Sequence, residues 1–230
     1  MVALPPSTTH RLLTTLQRRQ FAQFEDGDAS WHVGRRAFAV GSAFVRRRHF
    51  VQPAVPIMKR LRNETREMVN IAVPDDGEVV MLAQVESREV VRAINIVGGR
   101  APITACALGK ALLATYAAEE VRSLIQRHGL PAATEHSITD AAELDTQLAH
   151  AREHGFATDV EEFLPGLHCA AAPLFDSNGD AIAALSISGI GARVATERLP
   201  ELGRAVHAAA TELTLLLGGA IPDTWPTQAS

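Results

Sequence analysis

The sequence predicts an α+β protein in which a basic front segment precedes an acidic body. Two turn sequences, Pro74-Asp75-Asp76-Gly77 and Asp176-Ser177-Asn178-Gly179, each separate apolar runs of strand length, so hairpins stand near both ends of the body. Helical patterns lie between them, which places helices against one mostly antiparallel sheet. Charge divides the chain as well: residues 1–62 carry eleven Lys/Arg against three Asp/Glu, and residues 63–230 carry eleven against twenty-three. Such a split suits a front that touches a polyanion. The plainer alternative is a solvated, arginine-rich helix face.

The elements follow in order. Leu4-Pro5-Pro6-Ser7 opens a helix, because proline in the first turn gives up an N–H that has no partner there. Through Arg19, Leu12, Leu13 and Leu16 share one face at helical spacing. Residues 21–24 and 31–33 are strand-like around Glu25-Asp26-Gly27-Asp28. A polar-faced helix followed by a small ribbon is the order of a recognition helix and its wing. Another apolar helix, carrying Arg46-Arg47-Arg48, reaches Pro53 and Pro56, where a boundary is expected. A short helix over 57–67 leads into the body.

There the first hairpin pairs 69–73 with 79–86, and a third strand over 89–97 ends at Gly98-Gly99. Helices are expected over 106–116, 119–127 and 141–154, the last stopped by Gly155. Strands over 156–159, 168–175 and 181–188 come next, and a helix over 197–217 closes the domain. Neither repeats nor low-complexity segments interrupt this pattern.

Composition narrows the function classes. A chain of 230 residues with 47% hydrophobic content supports one sizeable core and a small satellite. Its apolar runs fall short of the ~20 residues a spanning helix needs, so no membrane is expected. Two cysteines, Cys106 and Cys169, make no disulfide framework, which points to a reducing cytoplasm. Nine histidines are read as lacking a metal-ligand spacing, and C-x-x-C is absent. Gly189-Ile190-Gly191 is not a dinucleotide fingerprint, since a third glycine and a helix do not follow. Neither cofactor nor metal is expected. His168 and Cys169 are strand neighbours that point to opposite faces, so they cannot act as a catalytic pair. The chain is read as no enzyme.

Four ordered blocks resemble the IclR family of transcriptional regulators. Leu4-Pro5-Pro6-Ser7-Thr8-Thr9-His10-Arg11-Leu12-Leu13 is similar to its recognition helix. Ala105-Cys106-Ala107-Leu108-Gly109-Lys110-Ala111 is similar to a Gly-Lys-Ala helix start. Gly155-Phe156-Ala157-Thr158-Asp159 with Pro165-Gly166-Leu167-His168-Cys169 resembles the central effector-domain signature, and Ala184-Leu185-Ser186-Ile187-Ser188-Gly189 its closing strand. The resemblance implies a partial winged helix-turn-helix over 1–35, a linker helix over 36–56, a GAF-like effector-binding domain over 57–222 and a tail over 223–230. It implies homodimers or homotetramers, and binding to a palindromic DNA operator modulated by a small organic acid. In the family two helices precede the recognition helix, whereas Leu4 follows three residues after Met1. The expectation is therefore a halved module, with Leu12, Leu13 and Leu16 short of cover and DNA binding weakened. A stand-alone small-molecule sensor or a thiol-dependent enzyme on a GAF-like fold is the alternative.

The candidate residues follow. Ser7, Thr8, His10 and Arg11 are expected to face the major groove, and Arg18, Arg19, Arg35 and Arg36 to attract phosphates. Ser186 and Ser188, two apart, share a strand face. An even-length loop at 176–179 would put Cys169 on that same face, beside apolar Leu167. Two hydroxyls and a thiol among apolar residues make a pocket for a small polar ligand; small residues filling a tight sheet face are the other reading. Asp159 matches the family's pocket carboxylate, and Ala107 and Leu108 the helix start where backbone N–H groups can meet ligand oxygens. Ionised Asp159 would repel a ligand carboxylate, so a ligand with both acid and hydroxyl groups reconciles the two. Glu161 and Glu162 are read as surface acids.

Overall fold

The front segment and the body are separate folding units, residues 1–52 and 53–230. A computed structural model describes residues 4–47, 50–87 and 96–227. In the front unit, α1 (Pro6–Arg18) starts on Pro5 and Pro6 as expected. The ribbon of β1 (Ala22–Glu25) and β2 (Ser30–Val33) sets Phe24 opposite Trp31, their ring centroids 5.2 Å apart. Asp28 Oδ1 accepts the Ser30 N–H at 3.1 Å and tightens the turn. Helix α2 spans Arg35–Arg47; the side chains of Phe44, Val45, Arg46 and Arg47, and all of Arg48, lie outside the described residues.

The boundary expected at Pro53 and Pro56 is not where a helix ends. Both prolines lie inside α3 (Val51–Thr65). Pro53 sits in the first turn, where its missing N–H costs nothing, and Pro56 forfeits one backbone bond a turn later.

The body holds one six-stranded antiparallel sheet in the order β5-β4-β3-β8-β7-β6. Its strands are β3 (Met68–Asp75), β4 (Glu78–Val85), β5 (Arg100–Pro102), β6 (Ala157–Val160), β7 (Leu167–Phe175) and β8 (Ala181–Ile190). Both expected hairpins form. The third strand, expected over 89–97, lies outside the described residues for 89–95, and Ile96 and Val97 are not strand. Gly98, at φ +86°, turns the chain back so that β5 is the edge beside β4.

Between β5 and β6 run α4 (Ala107–Leu113), α5 (Ala118–His128) and α6 (Ala141–His154), and α7 (Leu199–Leu216) follows β8 after a 3-10 turn, Thr196–Arg198. Asp140 caps α6, its Oδ1 accepting the Ala142 and Glu143 N–H groups, and left-handed Gly155 ends it. Helix α4 comes so close to residue 103 that a Cβ on Gly109 would lie 1.9 Å from the Ile103 carbonyl oxygen; only glycine fits. Alternate strand residues Ala72, Met81, Cys169, Ala171 and Ala184 share a core with α4 and α6. Every residue of β7 is buried, so both sheet faces are covered, and α7 packs along β7 and β8. After α7 the chain turns back, and Trp225 is buried edge-on to Phe175 at 5.8 Å.

Candidate functional site

The expected pocket residues come from four elements and line one cavity of about 250 Å³: Ala107 and Leu108 at the start of α4, Asp159 on β6, Leu167 and Cys169 on β7, Ser186 and Ser188 on β8. The register explains the convergence. Cys169 pairs with Ser188 and Ala171 with Ser186, while Asp159 pairs with Cys169 from the other side. Asp159, Cys169 and Ser188 therefore form a row across three strands on one face. Val79, Met81 and Phe163 supply apolar wall that the sequence reading did not name, and Cys106 and Arg100 also line the cavity. Arg100 donates to Glu78 Oε2 at 2.5 Å and to Asp75 Oδ2 at 2.6 Å, so two carboxylates hold its guanidinium.

Asn70 on β3, fully buried, lies behind the two serines. Its Nδ2 donates to Ser188 Oγ at 3.3 Å and to Ser186 Oγ at 3.4 Å. Each serine oxygen thus accepts one bond; the Ser188 hydroxyl also bonds the Cys169 thiol, and the Ser186 O–H remains as a donor. A donor on a floor walled by apolar side chains suits a ligand's oxygen. Asn70 is signalled in the sequence only as a lone polar residue in an otherwise apolar strand.

Asp159 is buried, and its carboxyl is pushed up to about 7. Burial is the main cause and the charge of Glu162 adds to it; the Glu162 N–H, donated to Asp159 Oδ1 at 2.8 Å, and Lys110 act the other way. Glu162 corrects the sequence reading: it is no surface acid but only 5% exposed. Its Oε1 accepts from Lys110 Nζ at 2.5 Å, and Lys110, on the inner side of α4, is 0% exposed and also bonds Gln147. Burial raises the Glu162 carboxyl, with Lys110 opposing. Glu161 does lie outside the core, accepting the Gly166 N–H at 3.0 Å.

Neither cysteine is set up as a nucleophile. Burial pushes the Cys106 thiol up to about 12, and Cys106 serves as the α4 cap, its Sγ accepting the Gly109 N–H at 3.4 Å. Burial and then Asp159 raise Cys169 well above its ordinary value, which disfavours the thiolate. His168 points away and its Nδ1 donates to the Val194 carbonyl at 2.6 Å. Among the described residues no group of three or more His, Cys, Asp or Glu is placed to hold a metal ion. The reading that histidine spacings are absent needs one correction: His150 and His154 stand four apart on α6.

On α1, Ser7, Thr8, His10 and Arg11 are all exposed. The leucine face is open too: Leu12 is 52% and Leu16 44% exposed, and α1 buries no residue.

Comparison with known proteins gives the family. Residues 42–215 match the family model for the bacterial transcriptional regulator IclR C-terminal domain, and residues 1–26 match that of the IclR helix-turn-helix domain. The chain is 40% identical over 218 residues to the transcriptional repressor IclR of Escherichia coli, and 39% identical over 218 residues to the acetate operon repressor of Salmonella typhimurium. Each alignment covers 94% of this chain and 80% of the relative. The crystal structure of the Thermotoga maritima IclR superimposes with a TM-score of 0.78 at 26% identity, covering 94% of this chain and 87% of that one. Among the described residues no helix is long and apolar enough to cross a membrane.

Proposed function

The chain belongs to the IclR family of bacterial transcriptional regulators, and from there we propose that its body binds a small organic acid that also carries a hydroxyl group. That binding modulates the attachment of the front segment to operator DNA. The observation that carries this reading is the cavity bounded by Asp159, Cys169, Ser186 and Ser188, with polar groups on its floor and apolar groups around them. Its 250 Å³ lies below the roughly 300–1,000 Å³ of drug-sized ligand sites, so the occupant has few heavy atoms. The Ser186 O–H donates to its carboxylate. Asp159, near neutrality between its two charge states, accepts the ligand's hydroxyl proton or is itself protonated.

Thiol-dependent catalysis is disfavoured by the raised thiols, and the named relatives are transcriptional repressors. In the front unit, exposed Ser7, Thr8, His10 and Arg11 on α1 are the DNA-facing set, with the β1–β2 ribbon as wing. Phe38 and Val40, 77% and 56% exposed on α2, are apolar side chains that a second copy of the chain would cover. An electrophoretic shift series tests the proposal, using duplexes from upstream of the protein's own coding sequence, with and without small hydroxy acids. Ligand-dependent change in the shift supports it. Absence of any DNA binding at low salt, or binding indifferent to every acid, overturns it.

A further inference from the structure

A cavity stands at each end of α4. The effector cavity takes the start of the helix, and a second hollow, of about 530 Å³, takes the chain just past its end. This hollow lies beside Phe175 at the far end of the β7–β8 hairpin from Cys169 and Ser188, and the two cavities share no lining residue. Its volume falls within the roughly 300–1,000 Å³ of small-molecule sites.

The segment after α7 closes one side. Trp225, buried edge-on to Phe175, lines the hollow with it, and Tyr116 adds a third aromatic wall. A buried indole N–H ordinarily finds an acceptor, yet among the described residues none accepts from Trp225. An unpartnered donor on a buried side chain that lines a hollow points to an occupant.

Charge is left open in the same place. Arg152 Nε donates to the Ala114 carbonyl at 2.8 Å, which anchors the guanidinium at the wall. Its two terminal nitrogens have no partner among the described residues. Glu120 Oε2 accepts the Ala117 N–H at 3.0 Å, and its other oxygen accepts nothing described. The Asp180 carboxylate likewise has no described partner. All three side chains line the hollow, and neither acid forms an ion pair with Arg152. A bare carboxylate drawn to Arg152 would meet two acids, and a bare ammonium drawn to the acids would meet the guanidinium. A molecule carrying both charges satisfies all three groups, and the guanidinium fork suits a carboxylate.

We propose that this hollow binds a free α-amino acid as its zwitterion, with the carboxylate on Arg152, the ammonium on Asp180 and Glu120, and the side chain against Tyr116 and Trp225. It is a second ligand site, independent of the organic acid assigned to the effector cavity.

Trp31→Phe leaves Trp225 as the remaining tryptophan, and fluorescence titration of that chain with each standard L-amino acid except tryptophan tests the proposal. The expected result is a saturable change with at least one of them. That binding should weaken about tenfold or more in Arg152→Gln and in Asp180→Asn, and stay unchanged in Ser186→Ala/Ser188→Ala. Circular dichroism verifies folding; Asp180 is exposed and its carboxylate holds nothing described, so this variant keeps the test open if Arg152→Gln misfolds. The N-acetyl and carboxamide forms of the bound amino acid each lack one charge and should bind about tenfold more weakly or worse. No saturable change with any amino acid overturns the proposal. So does equal affinity in Asp180→Asn, equal affinity for the N-acetyl form, or weakening in the serine variant instead.

Discussion

Cys169 on β7 and Ser188 on β8 stand directly opposite one another in the antiparallel ladder. Asp159 stands opposite Cys169 on β6, so three strands contribute polar groups to one buried row, and Asn70, opposite Ser186 on β3, donates to Ser188 from the neighbouring row. A fully apolar face would pack more simply, since buried polar groups must find partners. Such a row in a core fits the proposal that it holds a polar ligand.

The Asp159 carboxyl makes stability depend on pH. Its folded value of about 7 stands above the ordinary 3.8. Between those values the folded chain keeps a proton that the unfolded chain has lost, so stability falls as pH rises from about 4 to about 7. From about pH 5 to about pH 8 the loss is on the order of a few kcal/mol. Asp159→Asn cannot ionise and still accepts the Glu162 N–H. Urea unfolding should show less loss over that interval in the variant than in the wild type; identical pH dependence would contradict the assignment.

The Lys110–Glu162 pair should behave as a buried ion pair. Lys110→Met leaves the Glu162 carboxylate buried without its cation, which costs about 3–5 kcal/mol. Lys110→Met combined with Glu162→Leu removes both charges and should cost clearly less. Chemical denaturation of the two variants checks this: a double variant worse than the single would show that the pair is a net stabiliser.

The front helix should be energetically loose. Leu12→Ala or Leu16→Ala, at half-exposed positions with α1 burying nothing, should change the unfolding midpoint within the roughly ±0.5 kcal/mol of surface changes. Leu144→Ala, at a fully buried position, should cost about 2–5 kcal/mol. Amide exchange should likewise be fast along α1 and slow along β7. Slow exchange in α1 would contradict this.

Period and turn chemistry made much of this fold legible. The alternation of Ser186 and Ser188 was legible, and Asp140 and Gly155 marked both ends of α6. The expected even-length loop, however, was not what brought Cys169 onto the serine face: Phe175 pairs with Ala181 across five residues, and the register shift between Leu174 and Phe175 restores the parity. Long-range packing was not legible. Glu162 reads as one acid among several, and only Lys110, 52 residues away in sequence and on α4, shows why it can be buried. Pro53 and Pro56 read as a boundary because their tolerance depends on how near they lie to the helix start. Asn70 belongs to the site only through the pairing of β3 with β8, which joins strands more than a hundred residues apart.

The pocket assignment is tested most directly by calorimetry of the wild-type chain and the Ser186→Ala/Ser188→Ala variant with a panel of small hydroxy acids, glycolate and lactate among them. Circular dichroism verifies that the variant folds despite losing the acceptors of the Asn70 amide. The expected result is saturable wild-type binding of at least one acid, weakened by about 1–3 kcal/mol in the variant. Equal affinity in the two proteins, or no binding of any acid by the wild type, would contradict the account.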